Sequence, residues 1–254
     1  MSWRGCIVIP IYNHGASIGG TVQRLLVHGL PIIIVNDGSN AATCAVLEGL
    51  QAQHAQSAQL TVLHLPHNQG KGAAVMHGMQ HAFAAGFTHA LQIDADGQHD
   101  CADVPRFVAT SQAEPQAVVC GQPIYDQSIP KGRLYGRYIT HFWVWVETLS
   151  FAIADSMCGY RLYPLMPTCA LLAKQRIPTR MDFDTAIVVR LAWRGLPVRN
   201  LLTRVTYPPD GVSHFRMLQD NWRISCMHTR LVAGMLLRLP LLLWRKCSKG
   251  AVGA

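Results

Sequence analysis

Acidic residues are scarce in this 254-residue chain, where 14 Asp and Glu stand against 22 Lys and Arg and charged residues of all kinds make up only 14 %. With half the residues apolar, the length suits one large domain, or one domain with an appendage, around a sizeable core. Eight cysteines are present but no C-x-x-C pair, so neither a zinc ribbon nor a redox dithiol is suggested, and free thiols in a reducing compartment are expected. The opening residues lack a basic stretch leading into a long apolar one, so no signal peptide is expected. The longest apolar stretch, Leu231 to Trp244, contains Arg238 and Pro240 and falls short of the roughly 20 residues of a spanning helix, so no bilayer crossing is expected. No internal repeat, low-complexity tract or long Gly/Ser linker is found.

What is there is a regular alternation. "CIVIP" (6–10), "PIIIV" (31–35), "LTVLHL" (60–65), "HALQI" (89–93) and "AVVC" (117–120) have the composition of buried strands. Helical patterns fall between them near 18–29, 41–54, 71–85 and 102–112. The alternation predicts an α/β fold with a mostly parallel sheet flanked by helices, in which ligands gather at the carboxyl ends of the strands. Polar signals follow those ends: "IYNHGAS", "NDGSN", "PHNQGKGAA" and "DADGQHD".

Each loop has a chemistry of its own. Asp37, in "NDGSN", could accept a hydrogen bond from a nucleobase ring N–H beside the permissive Gly38, or the loop could be a plain Asp-Gly turn capping the next helix. Gly70 and Gly72 flank Lys71 before a helix, a combination that suits an anionic phosphate or sugar nucleotide, although no Walker motif is present and a glycine-rich helix start fits equally. Asp94, Asp96 and Gln98 offer hard oxygen ligands at a strand end. Mg²⁺ or Mn²⁺ prefers such a set and leaves positions open for substrate phosphates, whereas the spacing of a calcium loop is missing.

The ordered series IPIYN, NDGS, NQGKGAA and DADGQH resembles the family 2 glycosyltransferases of GT-A fold, most of all the branch with the dolichyl-phosphate mannose synthases and their bacterial relatives, over roughly residues 5–212. The resemblance implies that Pro10 and Tyr12 lie in a nucleotide-contacting loop, that Asp37 meets the base, and that Gly70 and Lys71 face the nucleotide. It places Asp94 and Asp96 as the metal-binding pair, Asp94 also near the nucleotide, with Gln98 as a further oxygen ligand. "DSMCGYRLYP" is similar to the family's D-x-x-S-G-F-R segment, with Gly159 and Arg161 retained on the acceptor or diphosphate side and Cys158 in place of Ser.

An inverting transfer needs a carboxylate to take the acceptor's proton. In "RMDFDTAIVVRLAWRG" (180–195), Asp184 matches the family's acid-then-helix spacing to Arg190 and is the first candidate, with Asp182 in reserve. The same two acids could simply favour the helix dipole. Ala186 stands where many relatives carry an acid. Lys131, Arg133 and Arg137 in "PKGRLYGRY" suit a diphosphate or a lipid-linked phosphate, or equally a solvated helix face.

From His214 onward five Arg, two Lys and a single Asp carry six of the chain's eight net positive charges. Arg216, Arg223, Arg230, Arg238 and Arg245 recur at 7, 7, 8 and 7 residues, within an arc of about 80° on one helix, which Pro240 is expected to interrupt. Apolar residues surround the stripe, so a basic amphipathic segment (213–254), following a catalytic domain (1–212), is expected either in the interface of an anionic membrane or docked on the domain. No nucleic-acid reader motif accompanies the charge. His214, in "GVSHFR", could serve the acceptor side, though a structural or surface role is the simpler reading.

These observations lead to the expectation of an inverting, metal-dependent glycosyltransferase. It would take a nucleoside-diphosphate sugar as donor and a lipid-linked or membrane-presented acceptor, peripheral on the cytoplasmic face of the membrane. The alternative is a catalytically inactive module that binds a nucleotide sugar at the membrane. Enzymes that make sugar nucleotides carry a Gly-rich loop with an Arg after the first strand, which "IPIYNHGAS" lacks.

Overall fold

The computed structural model describes residues 2–57, 59–124, 131–206 and 216–250, and for 131–134 and 249–250 the backbone alone. The elements run β1 (Gly5–Ile11), α1 (Gly15–Leu26), β2 (Ile32–Asn36), α2 (Ala41–Gln53), β3 (Leu60–His64), α3 (Lys71–Ala84), β4 (His89–Gln92), α4 (Val104–Ala113), β5 (Val118–Ile124), α5 (Lys131–Thr148), β6 (Arg161–Pro164), α6 (Leu165–Leu172), α7 (Phe183–Trp193), β7 (Val198–Arg204) and α8 (Met217–Gly250). A 3-10 turn at Cys101–Asp103 precedes α4.

Seven strands form one sheet in the order β3-β2-β1-β4-β6-β5-β7. β3, β2, β1 and β4 run parallel, β6 is antiparallel to both its neighbours, and β5 and β7 are parallel to each other. The expected mostly parallel sheet is therefore present. β1 and β2 are buried at every position, as continuous apolar runs must be when helices cover both faces. Alternation along β1 divides the core: Cys6 and Val8 face one cluster with α3 and α7, while Ile7, Ile9 and Ile11 face another with α1 and α2.

Local chemistry sets the helix starts. Asn40 caps α2 by accepting from the Thr43 N–H at 2.9 Å. In α1, Ile18, Val22 and Leu25 bury one stripe. Gly78 lets α3 approach the sheet, since a Cβ there would stand 2.5 Å from the Val8 side chain.

α8 is 34 residues long and continues through Pro240, contrary to the expected interruption. Packing on both sides of the proline holds it: Leu231, Met235 and Leu242 are buried in the core cluster, and Arg245 donates to the Trp193 carbonyl at 2.6 Å. The helix packs on α5 and α7, and His228 Nδ1 lies 2.7 Å from Oε1 of the buried Glu147 of α5. The arginine stripe is thereby divided. Arg238 covers the Trp193 ring at 5.0 Å and Arg223 pairs with Asp220 at 2.9 Å, while Arg230 is exposed. Because the helix is continuous, Met217–Ser248 is long and apolar enough to cross a membrane by length and composition, its window having a mean hydropathy of 1.3 with 28 % of it buried. This corrects the expectation of no bilayer-length helix, which rests on the apolar run ending at Trp244 and on Pro240 interrupting it. His214 and the boundary at 212/213 lie outside the described residues.

Candidate functional site

The first four strand-end loops are tied to one another. Pro10 is buried near the end of β1 and Tyr12 is half-buried just beyond it. Asn13, in the left-handed region at φ 57°, donates its backbone N–H to Ser39 Oγ at 3.0 Å and accepts from the Asn40 N–H at 2.8 Å. Gly38 meets the third loop so closely that a Cβ would stand 2.6 to 2.8 Å from the His67 and Asn68 backbone. Asp37 accepts from the backbone N–H groups of Gln69 at 2.7 Å and Gly70 at 2.8 Å. Burial pushes its carboxyl upward, and those two donors work against the shift. Each carboxylate oxygen keeps a lone pair beyond these bonds.

Lys71, the first residue of α3, joins what the sequence separates. Its ammonium lies 2.9 Å from Asp94 Oδ2 and 3.0 Å from Asp184 Oδ2. Burial alone would favour its neutral form, but the charges of Asp184 and Asp94 raise its pKa well above the ordinary lysine value. Burial likewise opposes ionisation of Asp94, and the charge of Lys71 with the nearby His99 overcomes it, so this carboxyl sits below its ordinary value. His99 Nε2 stands 3.6 Å from Asp94 Oδ2. Gly159 packs directly against the Lys71–Asp94 pair and leaves no room for a side chain: a Cβ there would lie 2.6 and 2.8 Å from the Asp94 oxygens and 2.7 Å from Lys71 Nζ.

Asp96 turns back to accept from the Gln98 N–H at 3.0 Å. Burial first, then the neighbouring charge of Asp94, raises its pKa. Gln98 is half-buried on the same loop, and its carbonyl accepts from the Thr206 N–H at 3.0 Å. Among the described residues no three His, Cys, Asp or Glu side chains gather to hold a metal by themselves. The donor set still fits a hard cation completed by substrate oxygens, because Asp94 Oδ1 is buried without a hydrogen-bond partner and Mg²⁺ or Mn²⁺ takes one or two carboxylates beside phosphates and water.

Of the two candidate bases, Asp184 enters this cluster and Asp182 does not. Asp184 accepts at Oδ1 from Gln92 Nε2 at 3.0 Å and meets Lys71 at Oδ2. Asp182 precedes α7 without a side-chain capping bond, raised by burial and with Arg223 and Asp220 as charged neighbours.

The basic candidates fall elsewhere. Arg161 is fully buried and donates to the carbonyls of Asp184 at 2.6 Å, Ser156 at 3.1 Å and Cys158 at 3.2 Å. It braces the site from beneath, a correction to its expected place facing acceptor or diphosphate. Arg137 forms a two-pronged pair with Asp155 at 2.8 and 3.0 Å. Burial opposes ionisation of Asp155, but His141 and Arg137 depress its carboxyl below the usual range. The side chain of Arg133 lies outside the described residues. Gln92, His99, Tyr163 and Asp155 carry contacts that the sequence reading did not single out. A lone amide within the apolar run "HALQI" was the one available signal for Gln92.

The family model described as "Glycosyl transferase family 2" matches residues 6–176. A dolichyl-phosphate beta-glucosyltransferase of Drosophila melanogaster is 27 % identical over 221 residues, covering 79 % of this chain and 66 % of the relative. A second, from Dictyostelium discoideum, is 29 % identical and covers 79 % of this chain and 65 % of the relative. The chain thus spans just under two thirds of these two relatives' length. Among solved structures, glucosyl-3-phosphoglycerate synthase of Mycobacterium tuberculosis in complex with Mn²⁺ and UDP-glucose superposes with a TM-score of 0.64 at 14 % identity, covering 93 % of this chain and 79 % of that one. At that identity the likeness speaks for the GT-A fold alone.

Proposed function

We propose, from the premise that this chain belongs to glycosyl transferase family 2, that it moves a sugar from a nucleoside diphosphate to a polyprenyl-phosphate or similar membrane-presented acceptor with inversion. The observation that carries the reading is the Lys71 bridge, which gathers Asp94, just beyond β4, and Asp184, in α7, at one point against the Gly159 backbone. Support for the acceptor class comes from the relatives named for dolichyl phosphate.

In this reading the loops of Pro10, Tyr12 and Asp37 hold the nucleotide, with Asp37 meeting the base. Gly70 and Lys71 face the diphosphate at the α3 N-terminus, where the helix dipole and the lysine charge favour an anion. Asp94 and Asp96, with Gln98, would hold Mg²⁺ or Mn²⁺, which offsets charge on the leaving diphosphate. Lys71 moves its ammonium from Asp184 toward that same charge, and Asp184 Oδ2 so released takes the acceptor's proton. Gly159, without a side chain, lets its backbone lie against Asp94 and Lys71. Asp182, outside the cluster, keeps the reserve role only.

The acceptor would arrive from the membrane. α8 exposes Leu218 (89 %), Trp222 (71 %) and Leu237 (83 %), and α5 with its following turn exposes Tyr138, Phe142 and Phe151. Such large apolar side chains, with basic residues between them, suit an anionic lipid surface on its cytoplasmic side. All eight cysteines are free thiols, in keeping with a reducing compartment. Nucleic acid has no part in this reading.

Calorimetric titration with UDP and GDP, with and without Mn²⁺, tests the donor site. Metal-dependent binding of one nucleotide, lost in Asp94→Ala, is expected; absence of any nucleotide binding would overturn the donor site, and nucleotide binding without transfer from any donor would leave the inactive membrane module as the better reading. Transfer of radiolabelled hexose from UDP- or GDP-linked donors to a polyprenyl phosphate tests the acceptor.

A further inference from the structure

β4 is buried at all four positions, and Gln92 at its end has no exposed surface. A buried amide without partners costs about 1–3 kcal/mol, yet both ends of this one are engaged. Nε2 donates to Asp184 Oδ1 at 3.0 Å, and Oε1 accepts from the Tyr163 hydroxyl at 3.3 Å. Arg161, which has donors only, directs an N–H at the Tyr163 oxygen from 3.3 Å. The tyrosine hydrogen is then left to point at Gln92.

The consequence is a one-way series of donors, from Arg161 through Tyr163 and Gln92 to Asp184. It settles which way the amide faces, because reversing Gln92 would set its NH₂ against the Tyr163 donor and its oxygen against a carboxylate. Arg161 also donates to the main-chain carbonyl of Asp184 at 2.6 Å, so the same group steadies both backbone and side chain of that residue. All of these residues are buried, where hydrogen bonds in a series strengthen one another, and among the described residues Arg161 Nε alone in the series lacks a partner.

We infer that Gln92 is a positioning residue for the transfer. By holding Oδ1 it fixes the rotation of the Asp184 carboxylate, so that Oδ2, and not a freely turning pair of oxygens, is presented to Lys71 and then to the acceptor. Tyr163 acts through Gln92 by fixing the amide's orientation. The inference rests on the reading of Asp184 as the acceptor's base.

The test is steady-state transfer from UDP- and GDP-linked hexoses to a polyprenyl phosphate by Gln92→Met, Tyr163→Phe and the double variant, with nucleotide–Mn²⁺ calorimetry on the same preparations. Methionine keeps length and shape but donates nothing. Loss of a hydrogen bond to a charged group predicts that Gln92→Met lowers kcat about 10- to 100-fold, with donor KM and nucleotide affinity unchanged. Tyr163→Phe should lower kcat less, and the double variant no more than Gln92→Met alone. Unchanged kcat in Gln92→Met, equal losses of kcat and nucleotide affinity, or additive losses in the double variant would each overturn the inference. Should Gln92→Met not fold, an unchanged kcat in Tyr163→Phe overturns it. Asp184→Asn separates the two levels: if it keeps full kcat, the base reading falls; if it loses activity while Gln92→Met does not, only the positioning role falls. No turnover by the unaltered chain with any of these donors removes both.

Discussion

The two sides of this molecule solve opposite problems. At the ends of β1 to β4, four loops are tied together by donors from one loop to acceptors on the next; Asp37 and Asp184 stand almost entirely out of water and Asp94 is half-buried. Along α5 and α8 the chain instead leaves Tyr138, Phe142, Trp222 and Leu237 in solvent. A rigid polar pocket suits a small charged donor whose diphosphate must meet preset partners. A broad apolar face suits a partner recognised by area and not by hydrogen bonds. The difference teaches that the acids of the site are buried where their partners converge, while most of the large exposed aromatic side chains lie on α5, α8 and the turn after α5.

Several substitutions would break the comparison from the polar side. Asp94→Ala removes the carboxylate that meets Lys71 and has an unpartnered buried oxygen. Transfer activity should fall by about 10³-fold, with Mn²⁺-dependent nucleotide binding lost in calorimetry. Gly159→Ala comes next, because its methyl would press on the Asp94 oxygens and Lys71. A displacement of the reacting groups by part of an ångström predicts a loss of about 100-fold in kcat, while circular dichroism stays unchanged.

Asp155→Asn probes the support beneath the pocket. Removing one member of a pair as buried as Arg137 and Asp155 should lower unfolding stability by about 3 kcal/mol near pH 7, read from urea melts. The folded carboxyl is depressed, so its contribution is fully present above the unfolded aspartate value of about 3.9 and fades as pH falls through the folded value. The gap between the two proteins should therefore narrow on acidification below about pH 4. A gap that stays constant down to pH 3 would mean that Asp155 gains nothing from its charge.

The smallest effects sharpen the apolar side. Leu237→Ser and Trp222→Ser should each weaken sedimentation with anionic vesicles by about tenfold, leaving nucleotide binding untouched. Equal binding of these variants and the unaltered chain would assign the exposed face to another partner.

The sequence carried the donor half of the site further than the rest. Strands buried on both faces advertise themselves as "CIVIP" and "PIIIV", and each is followed at once by its polar loop. β6 and β7 escaped notice for opposite reasons. β6, "RLYP", holds an arginine that looks solvated until carbonyls from Ser156, Cys158 and Asp184 converge on it. β7 is partly exposed and shows no continuous apolar run. The arginine stripe of α8 was legible as a periodicity, but not that Trp193 would draw Arg238 and Arg245 to it.

By itself the sequence determined the alternation of strands and helices, the order of the four loops and the types of group available to bind a diphosphate. These are local matters, set by apolar periodicity and by which residue follows each strand end. Tertiary structure decided which acid joins Lys71, that Gln92 faces Asp184, and that Arg161 is a brace. Those outcomes depend on groups 23 to 113 residues apart meeting where water is largely excluded, and a buried donor must find whichever acceptor the packed fold brings within reach.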